Sequence, residues 1–106
     1  MKLYRRDAFR AERAWGSELL MDMGAHAVRL HWTDEPYRWH VNRGDEVFVV
    51  LDGEVEMHSG PVGAERIDRL HAGDSVVFKG GERHKAIPRG EARVLVIESH
   101  DSDVLA

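Results

Sequence analysis

From Ser17 onward the sequence runs in short alternating stretches, each stopped by a turn-forming glycine or proline. Leu19, Met21 and Met23 alternate with Glu18, Leu20 and Asp22, and Val28, Leu30 and Trp32 alternate with Ala27, Arg29 and His31. Further strands are predicted over 46–51, 54–58, 65–70, 75–79, 84–88 and 92–98. Between them fall Asp52-Gly53, Ser59-Gly60-Pro61, Ala72-Gly73-Asp74, Gly80-Gly81 and Arg89-Gly90. A side-chain period of two belongs to strands, and many short strands at even spacing predict an all-β sandwich or small barrel. Long helices that could serve as parallel crossovers are missing, so a wound α/β fold is not expected. The first fifteen residues, with Ala8, Ala11 and Ala14, fit either a helix of one or two turns or an extended arm with a short turn.

A chain of 106 residues fits one domain with a modest core. It has no cysteine, which removes disulfides, thiolate zinc sites, iron–sulfur clusters and cysteine nucleophiles. The net charge is -4, and apart from Arg5-Arg6 the arginines are scattered, so nucleic-acid binding is not favoured. No apolar run approaches the ~20 residues of a membrane helix, and the amino-terminal stretch lacks the apolar segment of a secretory signal. A soluble cytoplasmic protein with no membrane partner is expected.

The stretch WHVNRGDEVFVVLDGEVEM, residues 39–57, raises the question of function. Taken as a two-residue hairpin, Asp52-Gly53 pairs Leu51 with Glu54 and Val50 with Val55. One face then carries Phe48, Val50, Val55 and Met57, all apolar, and is predicted to face the interior. Glu46 shares that phase, as do Asn42 and His40 if the strand continues upstream without a bulge at Gly44. A lone buried carboxylate is costly. An inward row of His, Asn and Glu calls for a shared partner, either a metal ion or a polar ligand. On the opposite phase Val47, Val49 and Leu51 are too apolar for a wet surface. Cover by the amino-terminal arm or by a second copy is expected, and a homodimer formed by sheet packing is preferred.

These residues, in this order, resemble the cupin superfamily, in particular its small single-domain members. His40-Val41-Asn42 stands where the first motif has a His-x-His pair, three residues separate Asn42 from Glu46, and six separate Glu46 from Gly53. Gly73-Asp74, Gly81 and His84 match the second motif. The resemblance covers roughly residues 25–98 of a single domain spanning 1–106 and implies a small β-barrel of two antiparallel sheets, a jelly roll. It also implies a divalent metal (iron, manganese, nickel or zinc) on His40, Asn42, Glu46 and His84. Asn42 replaces a histidine of the family pattern, Lys79 replaces a proline, and Pro88 falls where asparagine is common. His40, Glu46 and His84 still make the two-histidine, one-carboxylate set of non-haem iron sites.

The resemblance further implies binding of, or action on, a small polar molecule, by dioxygenase- or isomerase-like chemistry. The alternative is a small-ligand binder with a degenerate or empty metal site. Trp32, Phe48, Met57 and Phe78 are candidates for the substrate wall as well as the core. Tyr37-Arg38-Trp39 precedes the metal motif and is placed near its mouth or in ordinary loop packing. His26 shares the phase of Val28 and Leu30 and is a distant candidate base. His31 falls on the polar phase and is expected at the surface, His58 and His71 in solvent, and His100 in a polar tail.

Overall fold

The computed structural model describes residues 1–99; His100 and the tail after it lie outside the described residues. Nine strands form: β1 Gly16–Asp22, β2 His26–Thr33, β3 His40–Val41, β4 Glu46–Asp52, β5 Glu54–Ser59, β6 Arg66–His71, β7 Ser75–Phe78, β8 Arg83–Pro88 and β9 Ala92–Ser99. They make two antiparallel sheets, one in the order β1-β2-β9-β4-β7 and the other in the order β3-β8-β5-β6. The fold is the all-β jelly roll of the cupins. Among the described residues no α-helix occurs, and no helix is long and apolar enough to cross a membrane. The amino-terminal segment takes the extended form, with turns at residues 6–8 and 14–15.

Alternation produces the core. Along β4 the burial runs inside, half-buried, inside, with Glu46, Phe48 and Val50 inward, and β8 and β9 repeat the pattern. Phe48, Val50, Val55, Met57, Leu70, Phe78, Ala86, Ala92, Val94 and Val96 fill the space between the sheets. Removing such side chains from water is the main favourable term in folding, worth about 1.5–3 kcal/mol for each large one.

The Asp52-Gly53 step is not the hairpin its sequence suggests. β4 pairs with β7 and β9, whereas β5 pairs with β6 and β8, so the chain turns a corner from one sheet into the other. A bulge between Val50 and Asp52 starts the bend and takes Leu51 out of register. Gly53 completes it with φ +84°, and a β-carbon there would run into the carbonyl oxygen of Glu91. The inward phase of Phe48, Val50, Val55 and Met57 survives because the two strands face each other across the core instead of lying side by side.

The outer faces of the two sheets differ. The four-stranded sheet shows charge: His71 and Glu54 approach to 2.8 Å, Arg89 and Glu54 to 3.1 Å, and His58 and Glu56 to 2.6 Å. The five-stranded sheet carries an apolar row with one residue from each strand: Met21, Val28, Ile97, Val47 and Val77, joined pair by pair in register. The amino-terminal arm covers the far end of that face. Phe9 accepts a hydrogen bond from Arg93 Nε (2.6 Å), Arg6 pairs with Asp52 (3.1 Å), and the Arg10 guanidinium sits 5.2 Å from the Trp32 ring.

This cover reverses the reading of β2. Leu30 and Trp32 are buried on the outer face, and the polar phase with His31 turns inward. His26 is exposed and borders an outer-face groove with Val28 and Ile97, so it does not face the lumen as a base would.

Gly53→Ala is expected to cost about 2 kcal/mol or more, because it combines a left-handed backbone with a backbone collision. A urea midpoint unchanged from wild type would show that the corner tolerates a side chain.

Candidate functional site

β3 is only two residues long, yet its register with β8 sets His40 directly opposite His84. Directly opposed residues project to the same face, and the two imidazole centroids lie 4.2 Å apart. Glu46 comes from the facing sheet, where it opens β4 between Phe78 of β7 and Glu98 of β9. The segment joining Asn42 to Glu46 is clamped by the glycine pair that follows β7. Gly81 N donates to the Asn42 carbonyl (2.9 Å) and Gly80 N to Asp45 Oδ1 (2.9 Å). A β-carbon on Gly80 would press into the Arg43 carbonyl oxygen. The clamp brings Asn42 beside Glu46, and Asn42 Nδ2 donates to Glu46 Oε2 at 2.7 Å.

His40, Asn42, Glu46 and His84 are 8, 7, 7 and 3% exposed, and with Thr33 they are the buried polar side chains of the described chain. Their ring orientations are set in the same way. His40 Nδ1 lies 2.9 Å from the Arg38 carbonyl oxygen and His84 Nδ1 3.0 Å from that of Glu82, each two residues upstream. A carbonyl only accepts, so each Nδ1 carries the proton and each Nε2 offers a lone pair. The Phe78 ring stacks on His84 at 3.9 Å and 6°, which fixes its plane.

The four residues line a cavity of about 270 Å³. Phe48, Ala86 and Val96 form its wall, and the half-buried Trp15, His31, Tyr37 and Glu98 stand toward its outer end. Trp15 holds φ 60°, uncommon for a residue with a side chain. Two hydrogen bonds keep it there: its Nε1 donates to the Glu35 carbonyl (2.9 Å), and its own carbonyl accepts from His31 Nδ1 (3.2 Å).

Burial dominates the electrostatics. It pushes Glu46 up to about 7; the neighbouring Glu98 carboxylate adds to the rise and the Asn42 amide opposes it. Burial pulls His84 down to about 4, with the Glu82 carbonyl opposing and His40 adding to the fall, and burial also lowers His40. Both imidazoles are therefore neutral at physiological pH, the state in which Nε2 can bind a metal.

The donor chemistry fits a divalent ion: two oriented imidazole lone pairs and one carboxylate, with the outer partners that metal-binding histidines usually have. The arrangement is not closed. Among the described residues no group of three His, Asp or Glu has the geometry of a metal-holding set. His84 Nε2 and Glu46 Oε1 are 4.0 Å apart, while the other Glu46 oxygen is engaged by Asn42.

Of the candidate wall residues, Phe48 lines this cavity. Trp32 does not: it lies under the arm on the outer face and donates to Glu91 (3.2 Å). Met57 and Phe78 line a larger cavity of about 900 Å³ beside β6 and β7, which also takes in Arg66 and Arg83. Tyr37 borders the site, whereas Trp39 packs under the Arg83 guanidinium at 3.6 Å. His58 is half-buried on Glu56, and His71 is exposed beside Glu54. Sequence reasoning missed Trp15, His31 and Glu98. Glu98 had a signal, since it continues the inward phase of Ala92, Val94 and Val96.

The cupin domain pattern matches residues 30–98, so the chain belongs to the cupin-domain family. A cupin-2 domain protein from Shewanella frigidimarina superposes with a TM-score of 0.75 at 23% identity, covering 85% of each chain. A hydroquinone 1,2-dioxygenase in complex with Fe3+ superposes with a TM-score of 0.76 at 19% identity, over 86% of this chain and 29% of that one. An oxalate oxidase gives 0.67 at 18% identity, over 76% and 45% of the two chains. At these identities the likeness is one of fold. No curated protein matches the sequence.

Glu46 yields a pH prediction for protein treated with chelator. With its folded pKa raised from 4.5 to about 7, the native state holds a proton that the unfolded state has lost between those values. This group therefore costs nothing at low pH and costs progressively more as pH rises to 7. Glu46→Gln is expected to stabilise the protein by about 2–3 kcal/mol at pH 8 and by almost nothing at pH 4. Denaturant titrations at both pH values check this; a pH-independent difference contradicts it.

Proposed function

We propose that the chain is a small cupin that binds a small molecule in its lumen, at a divalent metal held by His40 Nε2, His84 Nε2 and the Glu46 carboxylate. The observation that carries this is the matched pair of Nδ1–carbonyl hydrogen bonds, which leave the Nε2 lone pairs of two buried, neutral, opposed imidazoles free in the cavity that Glu46 also lines. A bound ion would supply Lewis acidity or, as iron, dioxygen chemistry. The chain's own residues do the rest. Asn42 steadies Glu46 as a hydrogen-bond donor rather than as a fourth ligand. Phe78 fixes the His84 ring, and Phe48, Ala86 and Val96 keep bulk water from the inner end. Fold neighbours that include an oxalate oxidase and a hydroquinone dioxygenase with Fe3+ make oxygen-dependent turnover the first to test, with isomerase-like chemistry as the alternative.

The short Asn42–Glu46 bond favours a second reading, a metal-free binding pocket in which the Asn42 amide satisfies the buried Glu46 without an ion. Metal analysis of protein purified without chelator separates the two. Under the first reading Fe(II), Mn(II), Ni(II) or Zn(II) raises the melting temperature, His84→Ala abolishes the rise while the metal-free fold persists, and Asn42→His tightens binding. No melting shift with any of these ions would leave the metal-free pocket.

We also propose a homodimer, formed on the apolar row of the five-stranded sheet, in a cytoplasmic setting. Val47 lies in that row between Ile97 and Val77, so Val47→Asp is expected to convert dimer to monomer in sedimentation velocity. A monomeric wild type would remove the interface.

A further inference from the structure

Most of the inner cavity is walled by strands whose main chains are tied into the two sheets. Three lining residues lie outside the strands: Trp15, Tyr37 and Asn42. Two of them are fixed by main-chain bonds. Tyr37 N donates to the Ala86 carbonyl (2.9 Å), and Gly81 N donates to the Asn42 carbonyl (2.9 Å). Trp15 is held differently. It stands in the turn between the arm and β1, and both of its hydrogen bonds depend on a side chain: its indole Nε1 donates to the Glu35 carbonyl, and its carbonyl accepts from His31 Nδ1. The indole therefore reaches from the start of β1 to the β2–β3 connection, where it meets Tyr37 edge to face at 5.6 Å and 74°. Behind it lie the buried His40, Asn42, Glu46 and His84, whereas Trp15 and Tyr37 are themselves half-buried.

The closed position is opposed from within. Trp15 is the one non-glycine residue among the described ones with a positive φ, 60°. Its bond to Glu35 is exposed, so water competes for both partners, and such a bond returns about what a left-handed backbone costs a residue with a side chain. Contact of the ring with the edge of the core and with Tyr37 decides for the closed state. The hinge is narrow, because the next residue is anchored: Gly16 N donates to the Arg13 carbonyl (3.1 Å), and Gly16 pairs with Trp32 in the β1–β2 register. We propose that Trp15 is the gate of the inner cavity: its indole closes the mouth while latched to Glu35, and it swings away before a small molecule reaches His40 and His84. Latch and strain nearly balance, so the gate opens without the barrel unfolding. This rests on the cavity being the binding site, and not on the metal.

Diethyl pyrocarbonate, a small uncharged reagent that acylates neutral imidazoles, reads access directly. Full-length protein is labelled after chelator treatment, and the rate at each histidine is followed by peptide mass spectrometry. His71, exposed on the charged outer face, is the internal reference. In the wild type, His40 and His84 are expected to react at least ~10-fold more slowly than His71, because only the open fraction reacts. Trp15→Gly removes the indole and accepts the left-handed backbone, so both rates should rise ~10-fold or more relative to His71. Trp15→Phe keeps a ring but loses the donor, so a rise of several-fold is expected. Amide hydrogen exchange of β4 and β9 is measured on each variant and should stay at the wild-type level. Wild-type His40 and His84 labelled as fast as His71, unchanged rates in Trp15→Gly, a Trp15→Phe protein identical to wild type, or core exchange rising by the same factor as the labelling would each overturn the gate. Failure of every metal to bind would leave these rates as they are and count only against the metal centre.

Discussion

The two-residue pairing of β3 with β8 is the contact on which the lumen depends. It is the shortest pairing between the described strands, and it places one imidazole across from another. Had the register slipped by one residue, Val41 would stand where His40 does and the imidazole would point outward, since adjacent residues of a strand face opposite ways. The pairing is backed at each end. The Tyr37 backbone N–H donates to the Ala86 carbonyl at 2.9 Å before β3, and the Gly81 N–H donates to the Asn42 carbonyl after it. Outside this frame the same side chains would be solvated surface groups with ordinary acid–base behaviour.

A polar lumen is costly for a chain of this size. Burying a carboxylate and two imidazoles uses space that apolar side chains could fill, and each group must find a hydrogen bond or lose the solvation it had in water. The fold meets that demand locally: the histidines bond to carbonyls two residues upstream, and Asn42 bonds to a carboxylate four residues downstream. Short-range partners move with the segment that carries the group, so orientation is retained even where the surrounding barrel adjusts. The result is a site that is preorganised but not electrically neutralised, with Glu46 and Glu98 side by side across two strands.

Period two gave away the strands and the inward phase of β4 and β5, because Phe48, Val50, Val55 and Met57 make one face wholly apolar while Glu54, Glu56 and His58 break up the other. It failed at β2, where both phases have a reason to be buried. Leu30 and Trp32 looked like core because they are apolar, and they are indeed buried, but by the arm on the outside. Arg29 and His31 were left to face the lumen. A strand with cover on both faces carries no parity signal, and the arm's docking depends on contacts far apart in sequence, such as Arg93 with Phe9. Asp52-Gly53 misled for a related reason: a turn dipeptide specifies local backbone, whereas a corner and a hairpin differ only in what the following strand pairs with. His40, Asn42, Glu46 and His84 could be brought together on paper because motif order encodes which segments meet. Trp15 could not, because it belongs to an irregular segment whose path no periodicity describes, and Tyr37 could be set near the mouth only by its place just before the motif.

Phe78 stands between the buried polar cavity and the larger, open groove beside β6 and β7. One face of its ring lies flat on the His84 imidazole, and the ring also borders the larger cavity that includes Arg66 and Arg83. It thus acts as a shared partition, one aromatic plate that sets the plane of the inner imidazole and forms part of the wall of the larger space. Its bulk therefore answers to two surroundings at once, and a change that trims the ring on one side also loosens the imidazole on the other.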